Sequence, residues 1–246
     1  MAFRKNNTYK YEPGKNFRLS RSAIDSFMKC NKCFYINRRM NVKDIGMPGF
    51  SLNSAVDELL KKEFDHHRES KTAHPYMKST GRNLIPFAHE DLDIWRDNFK
   101  GVSYLHQETN LTITGAIDDV WIDLDTDELI VVEYKSTSTN SEISLNDGTP
   151  WKEGYKRQID IYQWLLKMNG FQVSDDSWFI YANGLKTVDS FSNELKFDTL
   201  VLKYTGSTDW VEPKILEIKK LLDQDTIPES SDNCETCSYV TSVNSL

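Results

Sequence analysis

Asp118, Glu133 and Lys135 are the residues whose types and spacing could support chemistry, by holding a metal and a phosphate. They fall within residues 115–135, GAIDDVWIDLDTDELIVVEYK, which reads as two strands joined by an acidic turn. Residues 112–124 and 128–136 are rich in Ile, Val, Trp and Tyr, and Asp125, Thr126 and Asp127 between them have turn composition. Alternate side chains of a strand share a face. Ala116, Asp118, Val120 and Ile122 therefore point one way, and Ile117, Asp119, Trp121 and Asp123 the other. In the second strand Leu129, Val131, Glu133 and Lys135 share a face. Ordinary hairpin pairing makes Asp118 and Glu133 converge, with Lys135 about 7 Å further along. A lone buried charge is costly, and its usual rescue is a partner or a metal. Two carboxylates and an ammonium at a sheet's end suit a metal and a phosphate. The plain alternative is a solvated hairpin whose charges face water, since half-exposed antiparallel sheets are common.

Helices must position this hairpin. Residues 52–68 form the clearest amphipathic pattern, with Leu52, Val56, Leu59, Leu60 and Phe64 at helical spacing and Asp57 beside the stripe. Residues 154–169 return to helix, ended by Gly170, with Gln158, Tyr162 and Leu165 on one face and Ile161 and Trp164 as core contacts. An opening helix starts at a Ser20 or Ser22 cap, carries Ile24, Phe27 and Met28, and has Cys30 and Cys33 near its end. Residues 70–90, with Pro75, Gly81 and Pro86, read as an irregular excursion, either a lid or a neutral insertion. Residues 101–109 begin the sheet. Two more strands follow at 177–183 and 195–204, with Asn183 and Gly184 as a turn, then a helix at 210–222.

Two other patterns invite chemistry and lose. Asp123-x-Asp125-x-Asp127 starts like a calcium loop, but Glu128 stands where Gly is required and Tyr134 where the closing Glu belongs. Asp65-His66-His67 matches the label of a class of metal phosphoesterases, yet it ends a charged helix where that class needs a strand-end or loop.

No linker composition divides the 246 residues, so one domain is expected at 18–240, with an insertion at about 70–90, an arm at 1–17 and a tail at 241–246. At 39% hydrophobic the chain can bury a core. No apolar run approaches the roughly 20 residues of a membrane helix, and the basic start lacks a signal peptide's apolar stretch. A soluble, cytoplasmic protein is expected. The net charge of −7 argues against a protein held on nucleic acid by overall charge. Local phosphate contacts remain open to Arg38, Arg39, Lys43, Lys156 and Arg157. Cys30-x-x-Cys33 and Cys234-x-x-Cys237 have metal-ligand spacing, and four thiolates suit zinc or an iron–sulfur cluster.

Asp118 followed by Glu133-x-Lys135 resembles the motif of the PD-(D/E)XK nucleases. GAID and VVEYKSTS look more narrowly like the RecB-like branch, which includes the CRISPR adaptation nucleases and helicase-linked exonucleases. Further matches are Ser20-x-Ser22-x-Ile24 with Phe27 and Cys30, Gln158-x-x-x-Tyr162 after the Glu-x-Lys, and the closing Cys pair. The chain departs from the branch at Asp57, where a metal-binding His usually stands; Asp is a hard ligand that also suits Mg²⁺ or Mn²⁺. It departs again in its two-plus-two cysteines, where one-plus-three is usual for a 4Fe–4S cluster, so Zn²⁺ stays open. The resemblance implies an α/β (α+β) restriction-endonuclease-like core, a central mixed sheet flanked by helices, with the chain ends joined by a four-cysteine metal site. It implies Mg²⁺ or Mn²⁺ held by Asp57, Asp118, Glu133 and the Tyr134 backbone carbonyl. Lys135 would orient or deprotonate water or stabilise the phosphorane, while Gln158 and Tyr162 position the strand and the lysine. The implied function is a metal-dependent DNA nuclease, an exonuclease of DNA repair or recombination, with DNA and a helicase or other repair or recombination protein as partners. The alternative is a non-catalytic nucleic-acid- or protein-binding module that keeps the fold.

Overall fold

The computed structural model describes residues 10–43 and 49–246; residues 1–9 of the expected arm lie outside them. The chain runs through β1 (Phe17–Ser20), α1 (Arg21–Lys29), α2 (Asn31–Arg38), α3 (Ser51–Ser70) and β2 (Leu84–Pro86). It continues with α4 (Leu92–Arg96), β3 (Val102–His106), β4 (Leu111–Gly115), β5 (Asp119–Asp123) and β6 (Leu129–Thr137). α5 (Pro150–Met168), β7 (Asp176–Gly184), β8 (Phe197–Thr205), α6 (Val211–Leu222) and α7 (Glu235–Asn244) complete it. These elements group into two compact units. One takes the described residues up to 43, Ser103–Thr114 and Asp209–Leu246; the other takes residues 49–102 and Gly115–Thr208.

The second unit is built on a five-stranded mixed sheet, β2-β5-β6-β7-β8. β5 and β6 are antiparallel, as a hairpin demands, whereas β6 and β7 are parallel and need the crossover that α5 supplies. One face of β6 sends Ile130, Val132 and Tyr134, with Trp121 of β5, against Leu60 and Phe64 of α3. The other turns Glu133 toward Gln158 of α5. Asp119, fully buried on the α3 side, accepts from Arg96 Nη2 at 2.8 Å, from Tyr134 Oη at 2.7 Å and from Arg68. A charge at that depth persists only with such partners, so this network is structural.

Several expectations need correction. The strand read as 112–124 is broken: β4 ends at Gly115 and joins β1 and β3 in a separate sheet, while β5 starts at Asp119. Residues 116–118 leave the ladder, and the Ile117 N–H donates instead to the Trp95 carbonyl at 3.0 Å. On α3, Leu52 and Leu59 are 59% and 64% exposed, whereas Arg68 is buried. The buried row runs at steps of four through Leu60, Phe64 and Arg68, because Asp119 draws the guanidinium inward. Residues 70–90 are ordered structure: a 3-10 helix, Pro75–Thr80, then β2, with Met77 and Leu84 buried and Leu84 paired with Asp123. A three-residue strand is too short to show periodicity. Asn183 and Gly184 do not turn; they end β7, paired with Asp198 and Phe197.

In the first unit β1 pairs in parallel with β4, and the Ser20 hydroxyl accepts from Ala23 N–H at 3.3 Å to start α1. α1 stops at Lys29, Cys30 takes an extended conformation, and α2 begins at once. Tyr11, expected in a loose arm, is buried, with its N–H donating to the Arg38 carbonyl at 2.7 Å and its hydroxyl to Asp223 at 2.5 Å. Among the described residues, no helix is long and apolar enough to cross a membrane.

Candidate active site

The β5–β6 ladder ends at Asp119 paired with Val132, and Asp118 lies just outside it. The Tyr134 N–H donates to Asp118 Oδ2 at 3.0 Å and fixes that carboxylate. Two residues past Glu133, the Lys135 ammonium turns back and donates to Glu133 Oε1 at 2.5 Å. The same oxygen accepts from Gln158 Nε2 at 2.7 Å, and that amide also donates to Tyr162 Oη at 2.9 Å. Spacing of i, i+4 on α5 thus becomes a two-residue brace on the buried Glu133.

Asp57 arrives from α3. Asp57, Asp118, Glu133, Tyr134 and Lys135 line one cavity of about 390 Å³. Lys61, one helical turn from Asp57, donates to Asp57 Oδ2 at 2.8 Å and stands 3.6 Å from Asp118 Oδ1. Tyr155 of α5 places its ring under the other ammonium, 4.5 Å from Lys135 Nζ. Neither Lys61 nor Tyr155 is among the sequence candidates. The Asp57–Lys61 spacing is a signal that was available; Tyr155 offers none beyond its place one turn before Gln158.

The electrostatics follow from crowding. Burial, then the neighbouring Asp118, pushes the Asp57 carboxyl above its usual range. Burial pulls Lys135 down, but Glu133 and Asp118 outweigh it and leave the ammonium above its ordinary value. Lys61 follows the same balance, with Asp118 and Asp57 overcoming burial. Hard carboxylate oxygens around an open cavity fit Mg²⁺ or Mn²⁺. Among the described residues, Asp57, Asp118 and Glu133 do not gather their oxygens within 4.8 Å of one another. The two ammoniums are interposed.

The other candidates lie elsewhere. Arg38 and Arg39 belong to the first unit, where Arg39 Nη2 pairs with Asp225 at 3.1 Å. Lys156 pairs with Glu153 at 2.8 Å, and neither it nor Arg157 lines this cavity. Asp65 accepts from Arg96 Nη1 at 2.8 Å and His67 Nδ1 meets Thr72 Oγ1 at 2.9 Å, so the Asp-His-His run is committed to local partners.

The four cysteines meet within the first unit. Cys33 Sγ lies 3.5 Å from both Cys234 and Cys237, Cys30 Sγ lies 3.9 Å from Cys237, and all four sulfurs fall within 4.8 Å of one another. Burial pushes the Cys30 thiol up, but hydrogen bonds from the Cys33 and Ser231 backbone and the adjacent thiols bring it to about 6. A thiolate is the ligating form.

A profile of the PD-(D/E)XK nuclease superfamily matches residues 49–242. Comparison with curated proteins finds no match.

Proposed function

The chain belongs to the PD-(D/E)XK nuclease superfamily, and from that membership we propose that it is a metal-dependent DNA nuclease of the RecB-like branch, hydrolysing phosphodiester bonds from strand ends. One observation carries the reading: Asp118, Glu133 and Lys135 line one cavity, and Glu133 accepts from a Gln158 amide that also donates to Tyr162. The Gln-Tyr brace and the cysteines drawn from both ends of the chain support the branch.

Asp57, Asp118, Glu133 and the Tyr134 carbonyl would hold Mg²⁺ or Mn²⁺, which when bound lowers the pKa of a water and offsets charge on the phosphate. The chain's own residues do the rest. Gln158 holds the Glu133 carboxylate in one rotamer, and Tyr162 holds the Gln158 amide. Lys135, braced by Glu133 and the Tyr155 ring, presents N–H donors and positive charge to a non-bridging phosphate oxygen. DNA and an unwinding or recombination protein are the partners of this reading, and its site of action is the cytoplasm.

The cysteines take one structural Zn²⁺. Zn–S bonds of about 2.3 Å require sulfurs about 3.8 Å apart in a tetrahedron, which matches the separations of 3.5 and 3.9 Å. A cubane of four irons needs its thiolates further apart. Metal analysis should find one zinc per chain; a brown, iron-containing protein would reverse the assignment.

The test of activity is a time course on end-labelled linear and closed circular DNA with Mg²⁺ or Mn²⁺. Linear DNA should be degraded and circles spared, and Glu133→Ala and Lys135→Ala should each lose activity by orders of magnitude. Variants as active as the parent would sink the proposal. One observation favours a second reading, a binding module that keeps the fold: Lys61 and Lys135 already hold all three carboxylates in ion pairs. That reading predicts no saturable Mn²⁺ binding at the carboxylates.

A further inference from the structure

A second cavity, about 270 Å³, opens beside the first, and Lys135, Ser136 and Tyr155 line both. A chain lying across Lys135 passes from one to the other. Its size falls just below that of pockets for drug-sized ligands, about 300–1,000 Å³, and suits one ring system.

Two aromatic residues distinguish it. Trp151, in the first turn of α5, lines this cavity while 61% exposed, which leaves an indole face free for stacking. Tyr181, paired with Lys135 across β6 and β7, lines the same cavity and is only 4% exposed, and its hydroxyl is buried with no hydrogen-bond partner among the described residues. A buried hydroxyl is normally satisfied, and one left open beside a cavity points to a ligand atom. The charges there are mixed: Lys152 pairs with Asp147, and Glu142 faces the same space. Beyond Lys135, which the two cavities share, a phosphate gains little in such surroundings. An uncharged aromatic ring with donors and acceptors on its edge gains both stacking and hydrogen bonds.

We propose that this cavity is a nucleobase subsite: it takes the base next to the scissile phosphate, stacked on Trp151 and hydrogen-bonded to Tyr181 Oη. The assignment rests on the nuclease reading, because only then does a nucleotide chain cross Lys135. It gives the cavity the sequence-tolerant recognition that aromatic platforms provide, since every base has a π-face.

The full chain is tested with single-stranded oligodeoxynucleotides, intact or carrying one abasic sugar at each position in turn. Binding is followed by fluorescence anisotropy and cleavage by gel, with thermal unfolding to confirm the fold. Trp151→Ala should weaken binding of the intact strand roughly tenfold, the loss expected for one stacked base. One abasic position should cost the parent protein the same factor, and should cost Trp151→Ala nothing more. Tyr181→Phe should raise KM severalfold with its unfolding temperature retained. If the parent cuts DNA while both variants handle intact and abasic strands as it does, the subsite is wrong and the nuclease reading stands. If the parent neither binds nor cuts any strand, both fall.

Discussion

Tyr162 lies against Gly115 so closely that a Cβ there would stand 2.5 Å from its Cε1 and 2.9 Å from its Cδ1. The glycine that ends β4 is thus a condition for the ring that supports Gln158. Gly115→Ala should cost about 1–3 kcal/mol, as overpacking of a tight contact does. It should also lower the cleavage rate, because displacing Tyr162 loosens Gln158 and then Glu133. Thermal unfolding and steady-state cleavage check the two effects. An alanine variant with unchanged stability would mean that the ring has room to move.

Gln158 reaches the reaction only through Glu133. Partners that orient metal-ligating carboxylates typically matter about 10–100-fold. Gln158→Ala should lower Mn²⁺ affinity or kcat by that range, and Tyr162→Phe by less, since it removes only an acceptor for the amide. Calorimetric metal binding beside kinetics separates this from simple loss of fold.

Lys61 places an ammonium between Asp57 and Asp118. It competes with any dication for the same oxygens. Lys61→Met should tighten Mn²⁺ binding on the order of tenfold, the effect of removing one partly screened charge, about 1.4 kcal/mol. Weaker binding in the variant would show that Lys61 organises the carboxylates instead of blocking them.

His74 predicts a pH effect on stability away from the carboxylates. Burial holds its imidazole below the ordinary value of 6.5, outweighing the pull of Glu63, which meets Nε2 at 2.8 Å. The unfolded chain takes up a proton near 6.5 that the folded chain refuses, so folding stability falls as pH drops through that value. The melting temperature should decline from about pH 7.5 to about pH 5, and the decline should be shallower in His74→Gln. Identical slopes would remove His74 as the cause.

The half of the site carried by β6 was legible because alternation in a strand is strict: once residues 129–136 are extended, Glu133 and Lys135 must share a side. The shared face of Gln158 and Tyr162 was legible for the matching helical reason, one turn of spacing, whereas their place beside Glu133 came from the resemblance. What was hidden was long-range. Gly115 is a plausible turn or bulge position by its type, but its close approach to Tyr162, 47 positions later, has no local mark. Leu59 looked like core by spacing and is exposed, while Arg68 looked like surface by type and is buried by Asp119, 51 positions away. β2 escaped notice since three residues carry no period, and its strand character comes from pairing with β5.

Cys33 and Cys234 stand 201 positions apart in the chain and 3.5 Å apart in space. During synthesis the earlier pair therefore waits for the later one, for roughly 10–40 s at ordinary elongation rates. Over that interval residues 49–208 emerge from the ribosome and can close their own sheet, whereas the unit begun first is among the last to finish. Thiol oxidation thus acts on the nascent chain during a defined window, and a ribosome stalled before Cys234 leaves two bare thiols exposed to it.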